Sequence, residues 1–286
     1  KETNMSEVKA PIAKKVPKEL VKHDDVRVDD YYWMNKREDS AVISHLEAEN
    51  AYYADMTAHT KNFQTDLFEE MKARIKEDDS SVPYKQNGYW YITKYQTGKE
   101  YPIYSRKKES LDSEEEILFD CNELAKGHEF FNMSSFSISP DNKLAAFSVD
   151  TVSRRKYTLQ IKNLETGEVL ADKVDNTAGN SVWADDNKTL FYSKQDDVTL
   201  RSDKIFKHVL GDQGTDSLIF NETDETFGTA VYKSKSKKYI IIVSYSTLTM
   251  EFQTLRADDP DGEFKVFHPR TRGLEYSISH YGNDFY

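Results

Sequence analysis

Apolar positions along this chain change their spacing near residue 80. Before it they recur with a helical period. Val42, Leu46, Tyr53 and Met56 lie three, four or seven apart, and Phe63, Leu67, Met71 and Ile75 follow at steps of four. Such spacing places side chains on one helix face, and charges fill the other positions. Asp39 and Ser40 can cap a helix start, and no Gly or Pro interrupts 39–76. Two helices, or one bent helix, are predicted there. Residues 1–18 are polar and broken by Pro11 and Pro17, the pattern of a flexible leader, and 19–79 is assigned as an amino-terminal helical extension.

After Ser80 the period falls to two and the pattern repeats. Phe136–Ser148 and Ser181–Ser193 each carry an Asp-Asn-Lys turn between short apolar runs, with Asp141 and Asp186 45 residues apart. Thr229–Ser244 is a third copy. Each continues into an alternating strand at Tyr157–Ile161, Lys204–Leu210 or Glu251–Leu255, and then into a Gly-bearing turn at 165–167, 211–214 or 260–262. A last short strand follows, such as Phe264–Phe267. Four short antiparallel strands per 45 residues form the pattern of a propeller blade. Val82–Asp120 is a more divergent first blade, with strands at Tyr89–Ile92, Tyr101–Tyr104 and Glu116–Phe119. Leu274–Ile278 and Gly282–Tyr286 open a further one.

The expected fold is therefore mainly β. It is an incomplete β-propeller of about four and a half blades preceded by a helical segment. The blades fall at about 80–125, 130–175, 178–221 and 226–269, with the start of the next at 271–286. The chain stops inside a hairpin, which suggests a fragment of a longer protein. The last strand would then be an open edge, and both it and the helices are candidate surfaces for self-association.

Composition narrows the function classes. The 286 residues are 37% hydrophobic and 13% aromatic, too rich in bulky apolar surface for a disordered polyelectrolyte. No run approaches the ~20 apolar residues of a membrane-spanning helix. With 39 basic and 50 acidic residues the net charge is −11, which argues against a nucleic-acid partner, because phosphate binding is driven by Lys and Arg. The single cysteine, Cys121, excludes an internal disulfide framework and is expected to be a half-buried thiol rather than a nucleophile. The amino terminus fits both a mature end after signal removal and an arbitrary boundary, so a cytoplasmic and a periplasmic compartment both stay open.

Catalytic signatures are sparse. No Gly-x-Ser-x-Gly elbow occurs; Gly179-Asn180-Ser181-Val182-Trp183 lacks the second glycine and precedes a repeat strand. Gly211–Gly214 sits in a blade turn rather than between strand and helix, so no phosphate loop is assigned. His128-Glu129 lacks the spacing of a zinc motif, and 258–262 lacks the alternating ligands of a calcium loop. Lys233–Lys238 and Ser153–Lys156 are basic but fall at predicted blade turns, where solvated charge is the ordinary reading. Glu114–Glu116 is expected to be a charged loop. Trp90, Tyr91, Phe191 and Tyr192 have strand spacing and are expected in blade cores.

Particular motifs carry a resemblance. His23-Asp24-Asp25-Val26-Arg27-Val28-Asp29-Asp30-Tyr31-Tyr32-Trp33 and Leu46-Glu47-Ala48-Glu49-Asn50 are followed in order by Ser81-Val82-Pro83, Gly88–Tyr91, Tyr101–Arg106, Ile117–Asp120 and Ser139-Pro140-Asp141. Over about residues 16–286 the chain resembles the amino-terminal region of oligopeptidase B (protease II), a branch of the prolyl oligopeptidase family. The resemblance implies a serine peptidase whose seven-bladed propeller covers an α/β-hydrolase domain, with the amino-terminal helices packed on that domain. The propeller would admit short peptides and exclude folded proteins, and cleavage would follow Lys or Arg. The Ser-Asp-His triad would lie beyond Tyr286, so no catalytic, substrate-binding or metal residue is nominated on this chain, and no cofactor is expected. The turn 153–156 departs from the family pattern, in which many relatives carry glycine and an acidic residue at an interdomain contact. The alternatives are a non-catalytic propeller that binds a peptide or protein partner, and a proline-specific peptidase.

Overall fold

The structure is a computed structural model and describes residues 9–212 and 214–286. The chain divides into two compact units, one ending at Lys76 and one running Glu77–Tyr286.

The first unit opens with a hairpin of β1 (Lys18–Lys22) and β2 (Asp25–Asp29), where the extension 19–79 was expected to be helical. The reason is local. Val26 and Val28 alternate with Asp25, Arg27 and Asp29 at period two. His23 and Asp24 both take positive φ (52° and 61°), which a two-residue turn of this hand requires. The predicted helices follow. α1 (Ser40–Thr57) starts where the Asp39 carboxylate accepts from Ala41 N at 2.8 Å. It passes through one tight turn at Ala58–Thr60 into α2 (Lys61–Ala73). At the junction Thr57 and Thr60 donate their hydroxyls back to the carbonyls of Tyr53 and Thr57, a contact that bends helices. Only Val42 of the apolar stripe is buried; Leu46, Tyr53, Phe63, Leu67, Met71 and Ile75 are 41–68% exposed.

The second unit is a run of antiparallel blades. The first contains β3 (Asp79–Ser80), β4 (Tyr84–Gln86), β5 (Tyr89–Tyr95), β6 (Ile103–Lys108) and β7 (Glu115–Asp120). Its innermost strand is split, because Pro83 between β3 and β4 cannot donate to the ladder that both make with β5. After a one-turn helix α3 (Cys121–Leu124) come β8 (Asn132–Ile138), β9 (Leu144–Asp150) and β10 (Tyr157–Asn163). Next is a single 15-residue strand, β11 (Val169–Trp183), then β12 (Thr189–Gln195), β13 (Ser202–Val209) and β14 (Ser217–Asn221). β11 pairs with β10 through its first half and with β12 through its second, so two blades share one seven-stranded sheet. Gly179 marks the change of partner. Its φ is 95°, and a Cβ there would lie 2.5 Å from Ser134 Oγ on the adjacent β8. The fourth blade is β15 (Gly228–Lys233), β16 (Tyr239–Tyr245), β17 (Met250–Arg256) and β18 (Lys265–Val266).

The last hairpin is shorter than its apolar pattern predicts. Only β19 (His280–Tyr281) and β20 (Asp284–Phe285) pair. Leu274–Ile278 makes no ladder; Tyr276 and Ile278 instead pack on Ile241 and Phe252 of the preceding blade.

Each apolar core lies between blades rather than inside one. Leu118 and Phe119 of the first blade meet Ala145 and Phe147 of the second, and Leu159 and Ile161 meet Trp183, Leu190 and Tyr192. Ile240 and Ile242 face Phe191 and Ile205, while Ile241 between them faces the next blade through Ile278. Period-two alternation thus serves two cores from one strand.

Ile241→Ala and Ile242→Ala should each destabilise the second unit by about 2–4 kcal/mol, with the double variant near the sum because the two side chains touch different neighbours. Val266→Ala, on an exposed edge, should change stability by less than about 0.5 kcal/mol. Urea midpoints of the parent and the four variants check this; a cost-free Ile241 substitution would show that the seam to the last hairpin contributes nothing.

Candidate functional site

The turns between the first and second strands of successive blades are built alike and gather at one end of the second unit. In the first blade the turn is Asn87-Gly88, with φ of 47° and 82°. In the next three it spans five residues, 139–143, 184–188 and 234–238, and the fourth residue of each is left-handed: Asn142 (φ 65°), Asn187 (58°) and Lys237 (65°). Asparagine tolerates this conformation because its short side chain bonds locally. Lysine does not, and Lys237 stores roughly 1 kcal/mol of strain there.

These turns are stitched to one another. Asn87 Nδ2 donates to Pro140 O at 2.7 Å, and Asn142 Nδ2 returns to Asn87 O at 3.2 Å. Asp141 N donates to Asn187 Oδ1 at 2.9 Å, and Lys233 Nζ to Asp185 Oδ1 at 2.6 Å. Lys238 Nζ reaches Gly282 O at 2.7 Å, and His280 Nδ1 lies 2.9 Å from Ser236 Oγ.

Between the turns lies a cavity of about 610 Å³. Its apolar wall includes Phe136, Trp183 and the stacked pair Tyr84 and Tyr91, whose centroids are 5.3 Å apart. Its polar wall includes Asn142, Asp185, Lys233 and Lys237. Trp183 is fixed by donation of Nε1 to Ser137 O at 3.0 Å. Tyr91 is 4% exposed, and its buried hydroxyl faces the Arg106 guanidinium. Burial pushes the Tyr91 phenol up, with Arg106 acting the other way. Arg106 is held by Glu116 through Nε at 2.7 Å and by Asn142 O at 3.1 Å.

The residues that sequence singled out scatter over the second unit. Cys121 is fully buried rather than half-buried. Burial, with Asp120 adding a smaller effect, pushes its thiol up to about 12, which removes thiolate chemistry at neutral pH. Ser181 lies on β11 with its Oγ 3.5 Å from that of Ser137, and the glycine before it is explained by the close approach of β8. His128 is exposed in a turn. Asp258 pairs with Arg256 and Asp261 with Lys207, so two of the three carboxylates of that turn are committed to cations. The 153–156 turn wraps a carboxylate: Asp150 accepts from the backbone of Val152, Arg154 and Arg155. Glu115 and Glu116, expected in a loop, begin β7 and pair with Lys94 and Arg106. Trp90 is only partly buried, whereas Tyr91, Phe191 and Tyr192 are in blade cores as expected.

One titratable cluster carries no sequence signature. His208, 6% exposed on β13, sits between two carboxylates, with Nδ1 2.7 Å from Asp216 Oδ1 and Nε2 3.0 Å from Asp172 Oδ1. Only the imidazolium can donate from both nitrogens. Burial opposes its charge, yet the hydrogen bonds to Asp216 and Asp172 win and raise its pKa. Asp216 also accepts from Tyr192 Oη at 2.7 Å, and Asp172 from Gly211 N at 2.7 Å. The cluster therefore ties the second blade to the third.

A family model described as the prolyl oligopeptidase N-terminal β-propeller domain matches residues 11–286. Dipeptidyl aminopeptidase BI of Pseudoxanthomonas mexicana is 38% identical over 290 residues, covering 95% of this chain and 40% of that protein. Protease 2 of Moraxella lacunata is 33% identical over 285 residues, covering 97% and 41%. Among solved structures, oligopeptidase B from Leishmania major superposes with a TM-score of 0.87 at 31% identity, over 96% of this chain and 42% of that one. Oligopeptidase B from Trypanosoma brucei, in a closed form with covalently bound antipain, superposes at 0.85 and 28%, over 96% and 41%. The chain thus spans about two-fifths of the length of these relatives.

The His208 cluster sets a pH dependence of stability. A raised folded-state pKa means that its contribution is complete below the ordinary histidine value, 6.5, and is lost as pH rises through the folded value. Relative to the parent chain, His208→Gln should cost about 2 kcal/mol at pH 6 and clearly less at pH 9. Denaturation midpoints of both chains across that range check it; a pH-independent difference would mean that the ring is held as a neutral group.

Proposed function

The chain belongs to the prolyl oligopeptidase family as its amino-terminal β-propeller domain, and from that premise we propose that it is the propeller part of a serine oligopeptidase that hydrolyses short peptides after Lys or Arg. The observation that carries this reading is the likeness to two oligopeptidase B structures over 96% of the chain, at 31% and 28% identity. In this reading the propeller limits access to a catalytic domain outside these 286 residues. The exposed stripe from Leu46 to Ile75 supports it, since seven large apolar side chains along α1, α2 and the residues just after them are a surface suited to being covered. The rest of the same protein is the proposed partner for that stripe.

The 286-residue chain is inactive alone in this reading. Acyl transfer needs a nucleophile, a base and an oxyanion hole in one place. His208 is a poor base because both ring nitrogens are engaged by carboxylates, and the sequence contains no nucleophile elbow. A second reading, release of dipeptides from a free amino end, is favoured by the 38% identity to dipeptidyl aminopeptidase BI against 33% to Protease 2.

The natural protein should have an intact mass well above the 33.2 kDa of this chain. It should hydrolyse Arg-linked but not Pro-linked reporter peptides, while the 286-residue chain hydrolyses neither. Equal cleavage of reporters with free and blocked amino ends supports the oligopeptidase; cleavage restricted to free amino ends supports dipeptide release. A natural protein of about this chain's mass that binds such peptides uncleaved would replace both readings with a non-catalytic one.

A further inference from the structure

The cavity between the blade turns holds more positive charge than its own wall neutralises. Two lysines and one carboxylate line it. Lys233 engages that carboxylate, Asp185, at 2.6 Å, and its side chain is only 14% exposed. Lys237 is an exposed residue whose backbone N–H donates to Ser234 O at 2.9 Å, while its ammonium has no hydrogen bond or ion pair among the described residues. Partial burial, with the neighbouring Lys233 charge adding to it, holds the Lys237 ammonium below its ordinary pKa. The position is also a costly one for lysine, since the two preceding blades use Asn142 and Asn187 at the same left-handed point of the turn.

The rest of the wall asks for a particular kind of anion. Phe136 and Trp183 offer aromatic surface. A volume of about 610 Å³ suits one or two amino-acid residues. A carboxylate carried beside an apolar side chain uses the charge, the aromatic wall and the volume together.

We infer that this cavity binds the carboxyl-terminal residue of a peptide, with the carboxylate at Lys237 and an apolar side chain against Trp183 and Phe136. The choice of a peptide over other apolar carboxylates rests on the peptidase reading above; the charge and wall chemistry do not.

The test uses the 286-residue chain and isothermal titration with three probes: N-acetyl-Ala-Ala-Phe as the free acid, the same peptide as its carboxyl-terminal amide, and 3-phenylpropionate. The free acid should bind saturably, and the amide about fivefold more weakly or worse, with the difference shrinking in about 0.5 M salt. Lys237→Asn copies the residue of the other two turns, so it should fold with an unchanged or higher urea midpoint yet lose the preference for the acid. Lys237→Arg should keep most of that preference.

Equal binding of acid and amide, no saturable binding, or an intact acid preference in Lys237→Asn would each overturn the inference. 3-Phenylpropionate binding as tightly as the peptide acid would overturn the assignment to peptides. The two readings fail separately. Acid-selective binding here, with no peptidase activity in the natural protein, would sink the proposed function alone; peptidase activity without acid-selective binding would sink only this inference.

Discussion

A four-stranded sheet cut from this protein would expose apolar side chains on both faces, and that constraint governs the second unit. Ile240, Ile241 and Ile242 are consecutive, nearly inaccessible, and divided between two cores. No blade owns a core of its own, so stability resides in the seams, as in other repeat architectures. The polar bonds follow the same plan. Asn87 to Pro140, Asp141 to Asn187 and Lys233 to Asp185 each join one blade to the next rather than bracing a single turn.

How much of this was legible in the chain depended on the distance over which each feature is encoded. Strand alternation and the recurring Asp-Asn-Lys turn act over a few residues, and the blades they predict are present. The His23-Asp24 hairpin was missed because its turn lacks the Gly or Asn that normally marks positive φ. The fusion of two blades through β11 was hidden by Gly179, which looks like a break in sequence but serves as a bend inside a continuous strand. The last hairpin is shorter than its apolar run suggests, because such a run signals burial without saying whether a ladder accompanies it.

The cavity shows the same limit more sharply. Its lysines, asparagine and aromatic residues come from four blades, each about 45–50 residues from the next. In the sequence Lys233–Lys238 is an ordinary solvated turn. Only the packing of the blades brings that turn beside the aromatic wall of Phe136 and Trp183. The His208 cluster is similar: Asp172 is 36 residues upstream and Asp216 eight downstream, a spacing with no helical or strand meaning. Sites assembled across seams are invisible to periodicity because no single repeat contains them.

The 15-residue strand β11 has a mechanical side. Where neighbouring blades meet only through side chains, they can rock against one another at the expense of packing alone. Between the second and third blades an unbroken backbone crosses the seam, and Ser134 and Ser135 both donate to the carbonyl of Gly179 at its bend. Those two blades therefore form a splinted pair, stiff against twisting. On either side no strand spans the seam: the chain crosses through α3 and residues 125–131, or through residues 222–227, so compliance is left to those joints. Any breathing of this part of the molecule divides it into one rigid block and its lighter flanks, with the turn-lined cavity straddling both hinges.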